Sequence, residues 1–209
     1  NLIYKDKRLS NWDPKLKTTI SDLEVIQKEV KGHLWYIDYQ IEDSDEVITV
    51  ATTRPETMLG DTGIAVHPDD DRYKKFVGKH AILPIVNKKI KIVADDYAKS
   101  DQGSGAVKIT PAHDFNDFEV GKRNNLEVIN IFDENACLNE NVPKKYQGLD
   151  RYVAREMIIE DLSAINKLNK IEENEHTIPY GDRSNVVIEP WLTDQWFVDA
   201  EKLAKGAIE

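Results

Sequence analysis

The sequence predicts a β-rich mixed α+β fold in which short strands close into a β-barrel and a few helices pack at its periphery. Seven short, β-branched, partly alternating segments precede residue 133, separated at close intervals by turn residues. So many strands at that spacing favour a closed sheet over a helical bundle. The 209 residues, 40% hydrophobic and 32% charged with Gly 10 and Pro 8, supply apolar mass for one core or two and exclude collagenous and low-complexity classes.

Strands are expected at 33–41 (HLWYIDYQI), 46–52 (EVITVAT), 63–67 (GIAVH), 81–86 (AILPIV), 89–94 (KIKIVA), 106–110 (AVKIT) and 127–132 (EVINIF). Asn87-Lys88 interrupts the apolar pattern between the fourth and fifth and reads as a hairpin turn. A helix is expected after Pro68, where Asp69, Asp70 and Asp71 precede Lys74 and Lys75 in the order the helix dipole favours. Asp150 to Leu168 is the clearest helix: Val153, Met157, Ile158, Leu162 and Ile165 recur at helical spacing behind Asp150 as N-cap. The polar run 169–177 reads as a connector, and a final helix is expected to open at a Thr193 cap.

Charge narrows the function. The 28 basic and 38 acidic residues leave −10, which argues against a duplex-binding protein held by many phosphate contacts, so any nucleic acid must be gripped locally. No run approaches the roughly 18 apolar residues of a membrane span, and the opening NLIYKDKRLSNWDP lacks the apolar stretch of a secretory signal. The single Cys137 excludes an internal disulfide framework and a multi-cysteine zinc site, and it fits a reducing, cytoplasmic setting.

Two stretches carry candidate chemistry. VATTRPETMLGDTGIAVHP leaves a strand through Thr52, Thr53 and Arg54, with Pro55 at a first helical position, and so sets hydroxyls and a guanidinium at a strand end. A structural use stays open there, with the threonines bonding local backbone and Arg54 pairing with a surface acid. In GSGAVKITPAHDFNDFEVGKR, Gly103 and Gly105 permit close backbone approach, and period-2 alternation puts Lys108 and Thr110 on one face of the strand. Pro111 ends that strand, and Asp114 and Asp117 stand at the start of a helix, where one acid is enough for the cap. His113 reads as a hydrogen-bonded structural residue or, with His67, Asp114 and Asp117, as part of a metal-dependent hydrolase site, although the spacing matches no zinc motif. No P-loop, no G-x-G-x-x-G after a strand and no G-x-S-x-G elbow occurs.

Together with IPYGDRSNVVIEPWLTDQWFVDAEKLAK, these stretches resemble the editing domain inserted in the class I aminoacyl-tRNA synthetases for valine, isoleucine and leucine, the valine-specific branch above all. The resemblance covers essentially the whole chain. It implies an N-terminal stem at 1–32, an editing barrel with helices at 33–175, and a C-terminal stem at 176–209 leading back toward a synthetic domain. The HIGH and KMSKS signatures of that ATP-using domain do not occur here, so the implied activity is post-transfer editing: hydrolysis of the ester joining threonine to tRNA(Val), with no cofactor and no metal. The need for it is physical. A hydrophobic pocket only weakly rejects an isostere with an added hydroxyl, the known case being the valine enzyme against threonine at about 10². A second pocket must reward that hydroxyl, so that valine leaves its polar groups unpaired.

The resemblance also implies roles. Asp117 is similar to the carboxylate that binds the substrate α-ammonium; Lys108, Thr110 and Asp114 to the readers of the side-chain hydroxyl; and Thr52 and Arg54 to residues lining the ester and the terminal ribose, with Thr53 a further substrate-binding residue. Asp117, Thr52 and Arg54 make up the implied catalytic set, with water as nucleophile and the ribose hydroxyl and positioned waters sharing the work of a base. The expected partners are the acceptor end of tRNA(Val) carrying threonine and the rest of the synthetase, with no DNA and no membrane, in a monomer. Ser104, Phe115, Asn124 and Asn185 depart from the Thr, Pro, His and Gly more usual in the family. The rival reading is a non-catalytic tRNA-docking module that depends on its parent enzyme for turnover.

Overall fold

The computed structural model describes residues 2–208. In chain order these form β1 (Ile3–Asp13), β2 (Thr18–Ile20), β3 (Val25–Ile41), β4 (Val47–Thr52), β5 (Gly63–Val66), β6 (His80–Leu83), β7 (Lys88–Ala94), β8 (Ala106–Ile109), α1 (Phe115–Arg123), α2 (Arg151–Ala164), β9 (Leu168–Gly181), β10 (Glu189–Val198) and α3 (Ala200–Ile208). A small sheet has the order β10-β1-β2. The larger sheet runs β4-β3-β6-β7-β5-β8, with β9 beside β3. Its two end strands, β4 and β8, lie against each other, so the sheet is nearly closed into a barrel.

Alternation fills that barrel. Ile37, Tyr39 and Ile41 on β3, Ile48 and Val50 on β4, Ile64 and Val66 on β5, and Ile90 and Ile92 on β7 point inward to one core. Ala154, Ile158 and Leu162, spaced by four on α2, complete it from one side. Ala65 and Ile109 have the opposite parity and meet Val120 and Leu126 in a smaller core beneath α1. Gly121 lets that helix sit on Pro111, since a Cβ there would stand 2.7 Å from the Pro111 ring. The start of α1 is thereby held over the end of β8.

Five local expectations are corrected. No sheet strand forms at 127–132: the Ile131 N–H goes to His113 Nε2, and the Asn130 carbonyl accepts from the Asn139 and Asn141 side chains, so side chains take the place of a partner strand. After Pro68 there are turns and a single 3-10 turn at Lys74–Phe76 in place of a helix, because Asp70 captures the Arg72 N–H and His67 captures that of Asp69. The run 169–177 is no connector; it belongs to β9, which pairs with β3 from Val25 opposite Gly181 to Ile37 opposite Leu168. The last helix begins at Ala200 behind Asp199, since Thr193 to Val198 continue β10 against β1. The strand expected at 81–86 stops at Leu83, and residues 84–87 make the hairpin turn with Ile85 and Asn87 at positive φ. The stem boundaries expected at 32/33 and 175/176 fall inside β3 and β9, which run unbroken through them.

Candidate active site

A cavity of about 240 Å³ opens where the ends of β4 and β8 meet. Thr52, Thr53 and Arg54 line it from the β4 end, Lys108 and Thr110 from β8, and Asp114 and Asp117 from the start of α1. The seven residues to which the resemblance gives a role are therefore brought to one place. The left-handed turn at Gly103 and Gly105, with φ of 55° and 84°, delivers the chain into β8.

Lys108 and Thr110 share the inward parity of Ala106, and both are buried. A buried ammonium needs a counter-charge, and Asp61, fully buried beside the barrel core, supplies it at 3.1 Å. The same Asp61 Oδ1 accepts the Thr110 hydroxyl at 2.6 Å, and Oδ2 accepts the Tyr39 hydroxyl at 2.7 Å. Lys108 also donates to Thr57 Oγ1 at 2.9 Å and to Thr110 Oγ1. Burial raises the Asp61 carboxyl above the ordinary aspartate range, against the pull of Lys108, Thr110 and Tyr39.

Asp114 is the α1 N-cap: its Oδ1 accepts from the Asn116 and Asp117 N–H groups at 2.8 and 3.0 Å. That leaves Asp117 free of capping duty. Its Oδ2 accepts the Thr110 N–H at 2.9 Å, and among the described residues its other oxygen has no hydrogen-bond donor. Burial first, and the Asp114 charge second, push the Asp117 carboxyl up to about 7, with Lys108 pulling the other way. This carboxylate is thus poorly solvated and under-paired, the condition in which a cation is welcome.

His113 lies beneath, edge-on to Phe132 at 4.7 Å. Its Nε2 lone pair is spent on the Ile131 N–H at 2.9 Å, and burial, with Arg54 and Lys108 nearby, holds the ring well below the usual histidine range and neutral. His67 lines neither this cavity nor the groove outside it; its Nδ1 accepts the Asp69 N–H. Among the described residues no group of three or more His, Cys, Asp and Glu side chains is placed to hold a metal ion.

Arg54 is braced. Its Nη2 meets Glu189 at 2.5 Å, its Nε meets Glu56 at 3.2 Å, and its Nη1 donates to the His113 carbonyl at 3.1 Å. Burial works against the guanidinium charge, but Glu189 and Glu56 outweigh it and hold Arg54 protonated. Arg155 grips Glu56 with two bonds of 2.8 and 2.9 Å, and Arg151 takes the second oxygen of Glu189. Thr53, Arg54, His113 and Asp114 also line a larger outer groove of about 480 Å³ between the barrel and β10, where Phe115 and Tyr152 stand exposed.

Sequence reasoning missed Asp61, Thr57 and Tyr39. Two of these sit within VATTRPETMLGDTGIAVHP, and the signal that points to them is electrostatic: a lysine on the inward face of a strand requires a carboxylate nearby. Nothing local signals Glu189, which reaches Arg54 across 135 residues. Three of the four departures from family pattern are absorbed in place. Ser104 bonds the Ala106 backbone, Asn124 caps α1 and donates to Asp95, and Asn185 adopts the positive φ that glycine favours.

Comparison with known proteins identifies the chain's relatives. The family described as tRNA synthetases class I (I, L, M and V) matches residues 1–209. The valine–tRNA ligase of Pelagibacter ubique is 63% identical over 203 residues, 97% of this chain and 23% of that protein. Those of Francisella tularensis and Bradyrhizobium diazoefficiens are 57% and 56% identical, over 100% and 99% of this chain and 23% and 24% of theirs. The chain spans about a quarter of the length of the curated relatives it matches. In fold it is similar to the crystal structure of the ternary complex of Agrobacterium radiobacter K84 agnB2 LeuRS-tRNA-LeuAMS, with TM-score 0.54 and 18% identity over 84% of this chain and 30% of that one. The chain belongs to the class I tRNA synthetases of the isoleucine, leucine, methionine and valine group, and it corresponds to a segment of their valine-specific members.

Proposed function

We propose that the chain is the post-transfer editing deacylase region of a valine–tRNA ligase, hydrolysing the ester between threonine and the 3′ end of tRNA(Val). One observation carries this reading. A 240 Å³ cavity joins an under-paired buried carboxylate, Asp117, to an ion pair dressed with hydroxyls, Lys108 with Asp61, Thr57 and Thr110. The first suits an α-ammonium, and the second a small side chain that carries a hydroxyl. Valine has no group to offer that second corner and strands its polar atoms.

In this reading water attacks the ester carbonyl, the bond to the ribose oxygen breaks, that oxygen takes up a proton, and threonine leaves as the free acid. Asp117 fixes the ammonium, while Thr52 and Thr53 at the β4 end line the space for the ester and ribose. Arg54 spends three of its five N–H donors on the protein and has two left to face the outer groove. The tRNA 3′ end lies along that groove. No metal, cofactor or ATP takes part, and the region works as a monomeric, cytoplasmic unit with the rest of the synthetase.

The test is deacylation of tRNA(Val) charged with threonine or with valine. Threonine is expected to be released at least about 100-fold faster than valine. Equal release of both at the uncatalysed rate, with tRNA still bound in a filter assay, would leave only a docking module.

A further inference from the structure

The Lys108 corner of the inner cavity has a hydrogen-bond polarity, and the specificity it confers rests on the editing activity proposed for the chain. An ammonium has three N–H donors and no acceptor. All three are taken, by Thr57 Oγ1, Asp61 Oδ1 and Thr110 Oγ1. Each threonine hydroxyl has a single proton to give. Thr110 gives its own to Asp61 at 2.6 Å, and Thr57 gives its own to the Arg54 carbonyl at 2.9 Å. Tyr39 spends its proton on the other Asp61 oxygen at 2.7 Å. A hydroxyl oxygen carries two lone pairs, and Lys108 occupies one on each threonine. One acceptor site therefore remains on each oxygen, and no proton at all.

We propose that this corner accepts a hydrogen bond from the substrate's side-chain hydroxyl and gives none, and that Asp61 is the positioning residue that sets this polarity. Asp61 is fully buried and does not line the cavity; it acts through Thr110 and Lys108. Without its carboxylate the Thr110 proton is free to turn into the cavity, and the corner becomes a donor as readily as an acceptor. Three other hydroxyls line the cavity and keep their protons, Thr52 and Thr53 on the β4 side and Tyr97 ahead of β8, but none of them is bonded to Lys108, Thr57 or Thr110. The substrate specificity that results is for a group that donates, beyond one that is merely polar and small.

Three tRNA(Val) 3′ esters test this with the 209-residue chain: threonine, valine, and 2-amino-3-fluorobutanoate, whose fluorine accepts but cannot donate. The expected result is release of the fluorinated acid within about threefold of valine, and so at least about 30-fold slower than threonine. Release of the fluorinated acid as fast as threonine overturns the polarity and leaves the editing reading standing. Threonine released no faster than valine overturns both. Asp61→Asn is expected to lower the threonine-to-valine rate ratio about tenfold, whereas a merely structural role would slow all three esters by one factor. Such uniform slowing removes Asp61 from its assigned part, and if the variant does not fold, the three esters on the unaltered chain decide.

Discussion

Two buried ion clusters flank the cavities, and they are built in opposite ways. The inner one has a single pair, Lys108 with Asp61, surrounded by the hydroxyls of Tyr39, Thr57 and Thr110. The outer one sets Arg54, Arg151 and Arg155 against Glu56 and Glu189, with both oxygens of each carboxylate held by guanidinium groups. Hydroxyls leave lone pairs toward a cavity and can take a ligand without stranding a charge. The guanidinium mesh cannot be opened without doing so. It ties β10 and α2 to the turn after β4, and through the His113 carbonyl to the residues just before Asp114. One cluster is suited to reading a substrate, and the other holds the reader in place.

The difference is sharpest in what deletion costs. Glu189→Ala removes the partner of Arg151, which is 7% exposed, and one of the two carboxylates on Arg54. A buried guanidinium without its acid is expensive, so the expected loss is about 3 kcal/mol of folding stability. Urea denaturation measures it. A cost below about 1 kcal/mol would mean that the outer cluster is as yielding as the inner one and that the comparison fails.

Asp117 tests the inner side, with an effect of opposite sign. Its carboxyl titrates near 7 in the folded chain, well above its ordinary value of 3.8. Between those two values the unfolded chain is ionised while the folded one still holds its proton, so stability falls as pH rises from about 4 to about 7 and is level above. Asp117→Asn removes that penalty. At pH 8 the variant is expected to be more stable than the parent by on the order of 1–3 kcal/mol, with the gap narrowing toward pH 4, while threonine release is lost. Urea midpoints at both pH values check it; a variant less stable than the parent at pH 8 would mean that the carboxylate is already well paired.

The same contrast explains what was legible in the sequence. The barrel strands show because β-branched residues alternate along them, and Lys108 with Thr110 shows because parity alone sets them on one face. The capping role of Asp114, and with it the freedom of Asp117, follows from three residues of spacing. β9 hides because it runs as an exposed ribbon of polar residues whose backbone, rather than its side chains, finds a distant partner in β3. The missing strand at 127–132 misleads for the converse reason, since Ile131 and Phe132 are buried as a strand's apolar residues would be but side chains satisfy its backbone. Asp61 pairs across 47 residues and Glu189 across 135, and no local pattern marks a partner at such range.

Asp114 offers the finest test, because it does two things to its neighbour at once. As N-cap it satisfies two backbone N–H groups of α1, and as a charge it helps to raise the Asp117 carboxyl. Asp114→Ala should therefore cost about 1 kcal/mol from the lost cap at pH 5, where Asp117 is protonated and indifferent to its neighbour's charge. At pH 8 the removal of that charge relieves the buried Asp117 carboxylate and offsets part of the loss, so the variant's deficit should be smaller there. The same relief moves the midpoint at which threonine release declines with acid to a lower pH. An equal deficit at both pH values would show that the two aspartates do not feel each other, and that the inner site is poised by burial alone.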